Sequence, residues 1–166
     1  MKKSIMILSV AGLFAACAAT DKAPVQKSLN QEEVMSKMSL EDKAHRAIAG
    51  LSMGGFHSLF ISIYNPDMFG YVGLFSAAVD QQQADPNGFP NIYADRNKKI
   101  DGLFAKNPNL FWIGCGKTDF LIKNNNDLRA YLDSKGYKYT YLETEGGHIW
   151  RNWRIYLSEF TPLLFK

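Results

Sequence analysis

The sequence is poor in cysteine and carries no large excess of charge of either sign. Only two of its 166 residues are cysteines, Cys17 and Cys115, and only three are histidines. A disulfide-rich scaffold is therefore excluded, and a zinc site built from cysteine and histidine clusters lacks its ligands. The net charge of +3 comes without a basic stripe, which argues against a nucleic-acid-binding surface. The hydrophobic fraction of 46% predicts a globular chain with one core.

The first residues have the pattern of a secretory signal. Met1 is followed by two lysines, and the apolar run over residues 5–14 is too short to span a bilayer as a helix. Two alanines then precede Cys17, which resembles the lipobox of bacterial lipoproteins. We therefore expect residues 1–17 to direct export and Cys17 to carry a lipid that anchors the protein in the bacterial cell envelope or periplasm. The alternative is a plain signal peptide with an unrelated cysteine.

The remaining chain divides into a linker and a catalytic domain. Residues 18–42 are mostly polar and have little packing potential, whereas residues 43–166 contain the apolar segments. With Cys17 lipidated, Cys115 has no partner for a disulfide. Cys115 lies in an apolar strand pattern, so we expect it to be a buried, inert thiol.

The most informative motif is Gly-Leu-Ser-Met-Gly at residues 50–54. A short apolar run precedes it, and apolar residues at helical spacing follow it up to residue 64. A serine between a strand and a helix, with Gly50 and Gly54 on either side, is typical of a nucleophile elbow. Ser52 would then lie at a helix N-terminus, where backbone N–H groups can stabilise an oxyanion.

Strand-like and helix-like segments alternate from residue 44 onward, which predicts an α/β fold with a parallel sheet. In such sheets, reactive groups gather beyond the carboxyl ends of the strands. The predicted strands cover residues 45–51, 71–78, 110–115 and 137–143, and the predicted helices cover residues 53–64, 93–106, 125–134 and 150–160.

Three residues follow strand ends in the chain order of an α/β-hydrolase triad: Ser52, Asp119 and His148. Serine needs a base to take its proton, and imidazole titrates near neutral pH, so His148 is the candidate base. Asp119 would fix the tautomer of the imidazole. The backbone N–H of Met53, which follows the serine, would be one oxyanion donor.

Other residues compete for these roles with weaker arguments. Asp127 is better explained as an acidic residue at the start of a helix. Trp150, close to the base, is a candidate to line the substrate pocket as well as the core. The remaining competitors are Asp80 and Asp85 on a polar loop, His57 inside the helix after the elbow, and His45 at a strand start.

Two stretches resemble carbohydrate esterase family 1, which includes feruloyl esterases and acetyl xylan esterases. Residues 46–78 contain Gly-Leu-Ser-Met-Gly-Gly and Asn-Pro-Asp-Met-Phe-Gly, and residues 111–165 contain Gly-Gly-His-Ile-Trp. The resemblance implies an α/β-hydrolase fold and hydrolysis of esters on plant cell-wall polysaccharides. It also implies no metal and no organic cofactor, with Ser52 as nucleophile, Asp119 as acid and His148 as base.

The sequence departs from this family before the elbow strand. Few residues separate Cys17 from residue 43, so we expect only the C-terminal half of an α/β-hydrolase fold, with about four parallel strands. The second oxyanion donor of the family is then not identified, and the elbow strand becomes an exposed edge that favours self-association. Two alternatives to hydrolysis stay open: acyl transfer to a sugar by the same triad, and a non-catalytic truncated envelope lipoprotein.

Overall fold

The computed structural model describes residues 5–9, 42–79 and 94–166. Cys17, nearly all of the predicted linker over residues 18–42, and the competing acids Asp80 and Asp85 lie outside the described residues. The strands are β1 (Ile5–Ser9), β2 (Arg46–Leu51), β3 (Tyr71–Phe75), β4 (Leu110–Gly116) and β5 (Thr140–Thr144). The helices are α1 (Met53–Tyr64), α2 (Arg96–Ala105), α3 (Ile122–Ser134) and α4 (Trp150–Phe160), with short 3-10 helices at Lys43–His45 and Thr161–Leu163.

The five strands form one parallel sheet in the order β1-β2-β3-β4-β5. The last four are the predicted strands, and helices flank them, so the predicted α/β class is confirmed. Because all strands run in the same direction, their carboxyl ends meet at one edge. Leu51 pairs with Phe75 and Phe75 with Gly114, which aligns the ends of β2 and β3 with β4.

The two faces of the sheet bury different side chains because successive residues of a strand point to opposite faces. On one face Ile48, Val72 and Ile113 pack with apolar residues of α1, α2 and α3. On the other face Ala47 and Ala49 leave room for large rings from α4, Tyr156 and Phe160. The central strands β2, β3 and β4 are therefore covered on both faces, as is usual in parallel sheets.

The element boundaries differ from the predicted ones where the backbone turns. Helices α1 and α4 have the predicted bounds, but β3 ends at Phe75 instead of residue 78. The reason is Ser76, whose φ of 45° is incompatible with a strand. β5 begins at Thr140 instead of residue 137, because the N–H of Tyr137 donates to the carbonyl of Leu132 and caps α3.

The predicted exposed edge of β2 is covered in this structure. Ile5–Ser9 pairs with β2 in parallel along five residues, from Ile5 opposite Arg46 to Ser9 opposite Gly50. Sequence patterning did not separate this strand from the apolar core of a signal, since both are short apolar runs. Among the helices of the described residues, no stretch combines the length and the apolar character that crossing a bilayer requires.

We predict that a variant without residues 1–9 self-associates. Its β2 would present unpaired backbone groups beside the apolar Ala47-Ile48-Ala49, which is a template for pairing with a second chain. Size-exclusion chromatography with light scattering should show oligomers for this variant and a smaller species for the full chain. Replacing Lys2 and Lys3 with glutamine is the control, since both precede β1. A truncated chain with the elution volume and melting temperature of the full chain would contradict the prediction.

Candidate active site

The carboxyl edge of the sheet carries all three residues predicted for catalysis. Ser52 directly follows β2, Asp119 lies in the turn after β4, and His148 lies between β5 and α4. The structure brings Asp119 and His148 into direct contact. It places Ser52 at the same edge of the sheet, at the first residue after its strand.

Ser52 has a strained backbone conformation, with φ 53° and ψ −118°. Its N–H donates to the carbonyl of Phe75 at 2.8 Å, and its own carbonyl accepts from the N–H of Ala78 at 3.1 Å. Both partners belong to β3 and the segment after it, so the neighbouring strand holds the turn in place. A non-glycine residue in such a region costs about 1–3 kcal/mol and is found mostly where function requires it.

Gly50 is required by the tightness of this turn. A Cβ atom at Gly50 would lie 2.2 Å from the carbonyl oxygen of Gly54, far inside a normal contact. The chain therefore folds back on itself within the Gly-Leu-Ser-Met-Gly motif, as predicted for an elbow. Met53 begins α1, so its backbone N–H is among the first four of the helix, which have no partner within the helix.

Asp119 is buried, and its carboxylate is held by a backbone and a side-chain donor. Only 1% of the residue is exposed. Its Oδ1 accepts from the N–H of Leu121 at 2.9 Å, and both carboxylate oxygens lie 3.0 Å from Nδ1 of His148. A buried carboxylate requires such partners. When Nδ1 carries a proton and donates a hydrogen bond to Asp119, Nε2 carries the lone pair and can act as a base.

Two aromatic rings flank the imidazole of His148. The Phe120 ring lies 4.6 Å from it, and the Trp153 ring meets it edge-on at 4.9 Å. Trp150, predicted to line the pocket, is 59% exposed and contacts Trp153 at 5.1 Å. These contacts restrict the orientation of the imidazole in addition to the hydrogen bond between its Nδ1 and the Asp119 carboxylate.

The loops that carry Asp119 and His148 are fastened to each other. The N–H of Thr118 donates to the carbonyl of Gly146 at 3.1 Å, and a Cβ atom at Gly116 would lie 2.3 Å from that carbonyl oxygen. The fully buried Asn152 donates from Nδ2 to the carbonyl of Gly147 at 3.0 Å, next to His148. Sequence reasoning missed Asn152, because a polar residue in an amphipathic helix gives no sign of being buried.

A second buried asparagine ties the Asp119 turn to the elbow region. Asn125 is fully buried, and its Nδ2 donates at 2.9 Å to the carbonyls of both Ala77 and Leu121. Ala77 precedes Ala78, the residue that is hydrogen-bonded to Ser52. The predicted helix over residues 125–134 begins earlier, at Ile122, so this contact was also missed.

The described competitors have other roles. Asp127 does not lie at the start of its helix as predicted, because α3 begins at Ile122, and it forms an exposed ion pair with Lys123 at 2.5 Å. His57 lies on the exposed side of α1, and His45 is 3.6 Å from Asp42. Cys115 is a buried free thiol, and burial, helped by the nearby Asp119 carboxylate, raises the pKa of Cys115 to about 12.

The described residues contain no group of three or more histidine, cysteine, aspartate or glutamate side chains arranged to hold a metal ion. Ser52, His148 and Asp119 have the functional groups that nucleophilic attack by a serine with a histidine base requires.

Comparison with known proteins identifies esterases. Residues 31–164 match the family model described as "putative esterase". The chain is 32% identical to an acetyl esterase of Caldicellulosiruptor saccharolyticus, over 67% of this chain and 51% of that protein. It is also 32% identical to an endo-1,4-beta-xylanase/feruloyl esterase of Xylanibacter ruminicola, over 75% of this chain and 15% of that protein.

The fold is shared with a solved CE1 ferulic acid esterase from Anaeromyces mucronatus. The TM-score is 0.63 at 22% identity, and the likeness covers 81% of this chain and 52% of that one. The chain therefore spans about half the length of this esterase and of the acetyl esterase.

We predict opposite effects for alanine at two glycines. Gly50→Ala should destabilise the protein by about 1–3 kcal/mol and displace Ser52, because its Cβ would collide with the Gly54 carbonyl. Gly102→Ala, in the exposed part of α2 with nothing within 4 Å of the new Cβ, should stabilise it by about 0.5–1 kcal/mol. Denaturant unfolding measures both changes. Equal stabilities for the two variants would show that the elbow tolerates a side chain at residue 50.

Proposed function

We propose, because this chain belongs to the esterase family whose model it matches over residues 31–164, that it hydrolyses carboxylic esters with Ser52, His148 and Asp119. The observation that carries this proposal is the hydrogen-bond contact between the buried Asp119 carboxylate and Nδ1 of His148. This pair lies at the same edge of the sheet as Ser52, whose backbone has a strained conformation. A serine, an imidazole base and an orienting carboxylate are the parts that acyl transfer requires.

The reaction proceeds in two steps. His148 Nε2 takes the proton from Ser52 Oγ as the oxygen attacks the ester carbonyl carbon. The backbone N–H of Met53 donates to the resulting oxyanion, and His148 returns the proton to the departing alcohol oxygen. This leaves the acyl group on Ser52. Water then attacks the acyl carbon while His148 takes a proton from it, and His148 gives that proton to Ser52 Oγ as the acyl–oxygen bond breaks, which releases the acid and restores the serine.

We propose that the substrate is an acetyl or feruloyl ester on a plant cell-wall polysaccharide such as xylan. The names of the two relatives support this: one is an acetyl esterase, and the other combines a xylanase with a feruloyl esterase. Interception of the acyl-enzyme by a sugar hydroxyl would give acyl transfer instead. Product analysis with and without an acceptor sugar separates the two reactions.

We predict that a fluorophosphonate probe labels Ser52 alone. Ser52→Ala should abolish labelling, and His148→Ala should slow it at neutral pH by about 10²–10⁴, the usual contribution of a general base. Asp119→Asn should also slow it strongly, since the imidazole tautomer is no longer fixed. Mass spectrometry of the labelled peptide gives the site.

The matched control for this experiment is Ser158→Ala, at an exposed serine of α4 whose hydroxyl donates to the Ile155 carbonyl. It should be labelled at the rate of the unchanged protein. Persistent labelling of Ser52→Ala would remove Ser52 as the nucleophile, and an unlabelled full chain would favour the non-catalytic alternative.

We also propose that the protein is exported and anchored through a lipid on Cys17. The basic start, the short apolar run and the Ala-Ala-Cys sequence support this. The same processing would remove Ile5–Ser9, which pairs with β2 in the unprocessed chain.

We predict that the mature N-terminus is a lipidated Cys17 and that the protein partitions with membranes. Cys17→Ser should release the protein or leave it unprocessed, whereas Cys115→Ser should change neither outcome, because Cys115 is buried in the sheet. Mass spectrometry of the membrane fraction checks the mass and the first residue. A mature N-terminus at another residue would contradict the anchor.

A further inference from the structure

Four rings form a continuous row at the candidate active site, and His148 is one of them. Phe120 lies 4.6 Å from His148, His148 lies 4.9 Å from Trp153, and Trp153 lies 5.1 Å from Trp150, all measured between ring centroids. We call Phe120, His148, Trp153 and Trp150 the aromatic row. We propose that the aromatic row binds the sugar part of the ester substrate, a proposal that rests on the function proposed above.

The two ends of the row are exposed to an unusual degree. Phe120 is 72% exposed and Trp150 is 59% exposed, the highest values among the large hydrophobic side chains of the described residues. Rings of this size are normally buried, and a patch of exposed rings beside reactive groups is a common feature of ligand sites. We therefore expect a bound ligand to cover the exposed rings of Phe120 and Trp150.

Phe120 is exposed because the residues on both sides of it are held. The N–H of Asp119 donates to the Gly116 carbonyl at 3.0 Å, and the N–H of Leu121 donates to the Asp119 carboxylate at 2.9 Å. The turn thus buries the Asp119 side chain and directs the Phe120 ring outward beside the imidazole. A ring on such a fixed turn loses little conformational entropy when a ligand packs against it.

Trp150 is fixed in a similar way at the opposite end of the row. It is the first residue of α4, and its ring packs against Trp153. Trp153 is partly buried against the core cluster that contains Tyr156 and Phe160. The row therefore has two presented rings, Phe120 and Trp150, and two supporting ones.

The position of the row indicates which part of the substrate it contacts. His148 passes its proton to the alcohol oxygen of the ester, so groups beside the imidazole face the alcohol part. The acyl carbonyl instead lies at Ser52 and the Met53 N–H. For an ester on a polysaccharide the alcohol part is a sugar ring. The slightly positive C–H face of a sugar ring suits the negative face of an aromatic ring.

The test measures sugar binding in a protein without the nucleophile, so that its result does not depend on turnover. Ser52→Ala protein is titrated with unesterified xylotetraose by calorimetry. Phe120→Ala and Trp150→Ala, each added to Ser52→Ala, should raise the dissociation constant about three- to tenfold, the effect expected for one stacked ring. Ile155→Ala is the matched control, because Ile155 is a 37% exposed apolar residue of α4 outside the row.

A second measurement uses the protein with Ser52 intact. The preference for acetylated xylo-oligosaccharide over ethyl acetate, compared as kcat/KM, should fall about three- to tenfold in Phe120→Ala, because both esters have the same acyl group and only one carries a sugar. Xylotetraose binding that depends on Phe120 in a protein without esterase activity would uphold the row and reject the proposed reaction.

Other outcomes would overturn the row. These are an absence of xylotetraose binding at millimolar concentration, and equal dissociation constants for Phe120→Ala and Ile155→Ala. Weakened binding of free ferulate with unchanged xylotetraose binding would assign the row to the acyl group. Conversion of a dimer into a monomer by Phe120→Ala would mean that a second copy of the chain covers the rings.

Discussion

The backbone of Ser52 holds a conformation that an L-amino acid avoids, and the other parts of the site are arranged around it. Its φ of 53° is maintained by hydrogen bonds to Phe75 and Ala78 and by the absence of a side chain at Gly50. The strain is sustainable because β2 and β3 are buried on both faces of the sheet. A loosely packed sheet would let the turn relax and withdraw the serine from the edge.

The second half of the site depends on burial in a different way. The buried side chain of Asp119 has hydrogen-bond donors from Leu121 and His148, as a buried polar group requires. Asn125 and Asn152 donate hydrogen bonds to backbone carbonyls of the two loops that carry Asp119 and His148. Buried amide side chains thus support the loops on both sides of the Asp119–His148 pair.

Much of this arrangement was predictable from local sequence signals. Helix α1 was predicted with its observed bounds, because the elbow motif around Ser52 precedes it and Asn65-Pro66 follows it. The partnership of Asp119 and His148 followed from their positions after neighbouring strands. Strand β3 was predicted too long, because Ala77 and Ala78 are buried without being part of a strand. Apolar patterning reports burial, and it does not distinguish a strand from the buried turn that follows it.

The features that escaped prediction depend on contacts between distant residues. The exposure of Phe120 results from how the Asp119 turn is anchored, and the burial of Asn125 results from its bond to Ala77, which lies in another part of the chain. Strand β1 was missed because a five-residue apolar run has no pattern that specifies its partner. Patterns along the chain describe each segment alone and carry no information on such pairings.

The strand order has a kinetic consequence. Neighbouring strands in the sheet are also consecutive along the chain, so β2 to β5 can each add to the strand made just before it. In this order, each new strand pairs with the sheet as soon as the single connection to the preceding strand has formed. This favours folding as the chain emerges during synthesis. Ser52 follows the first of these strands, whereas His148 follows the last. The turn at Ser52 can therefore form early, whereas the contact between Asp119 and His148 can form only when the final strand docks.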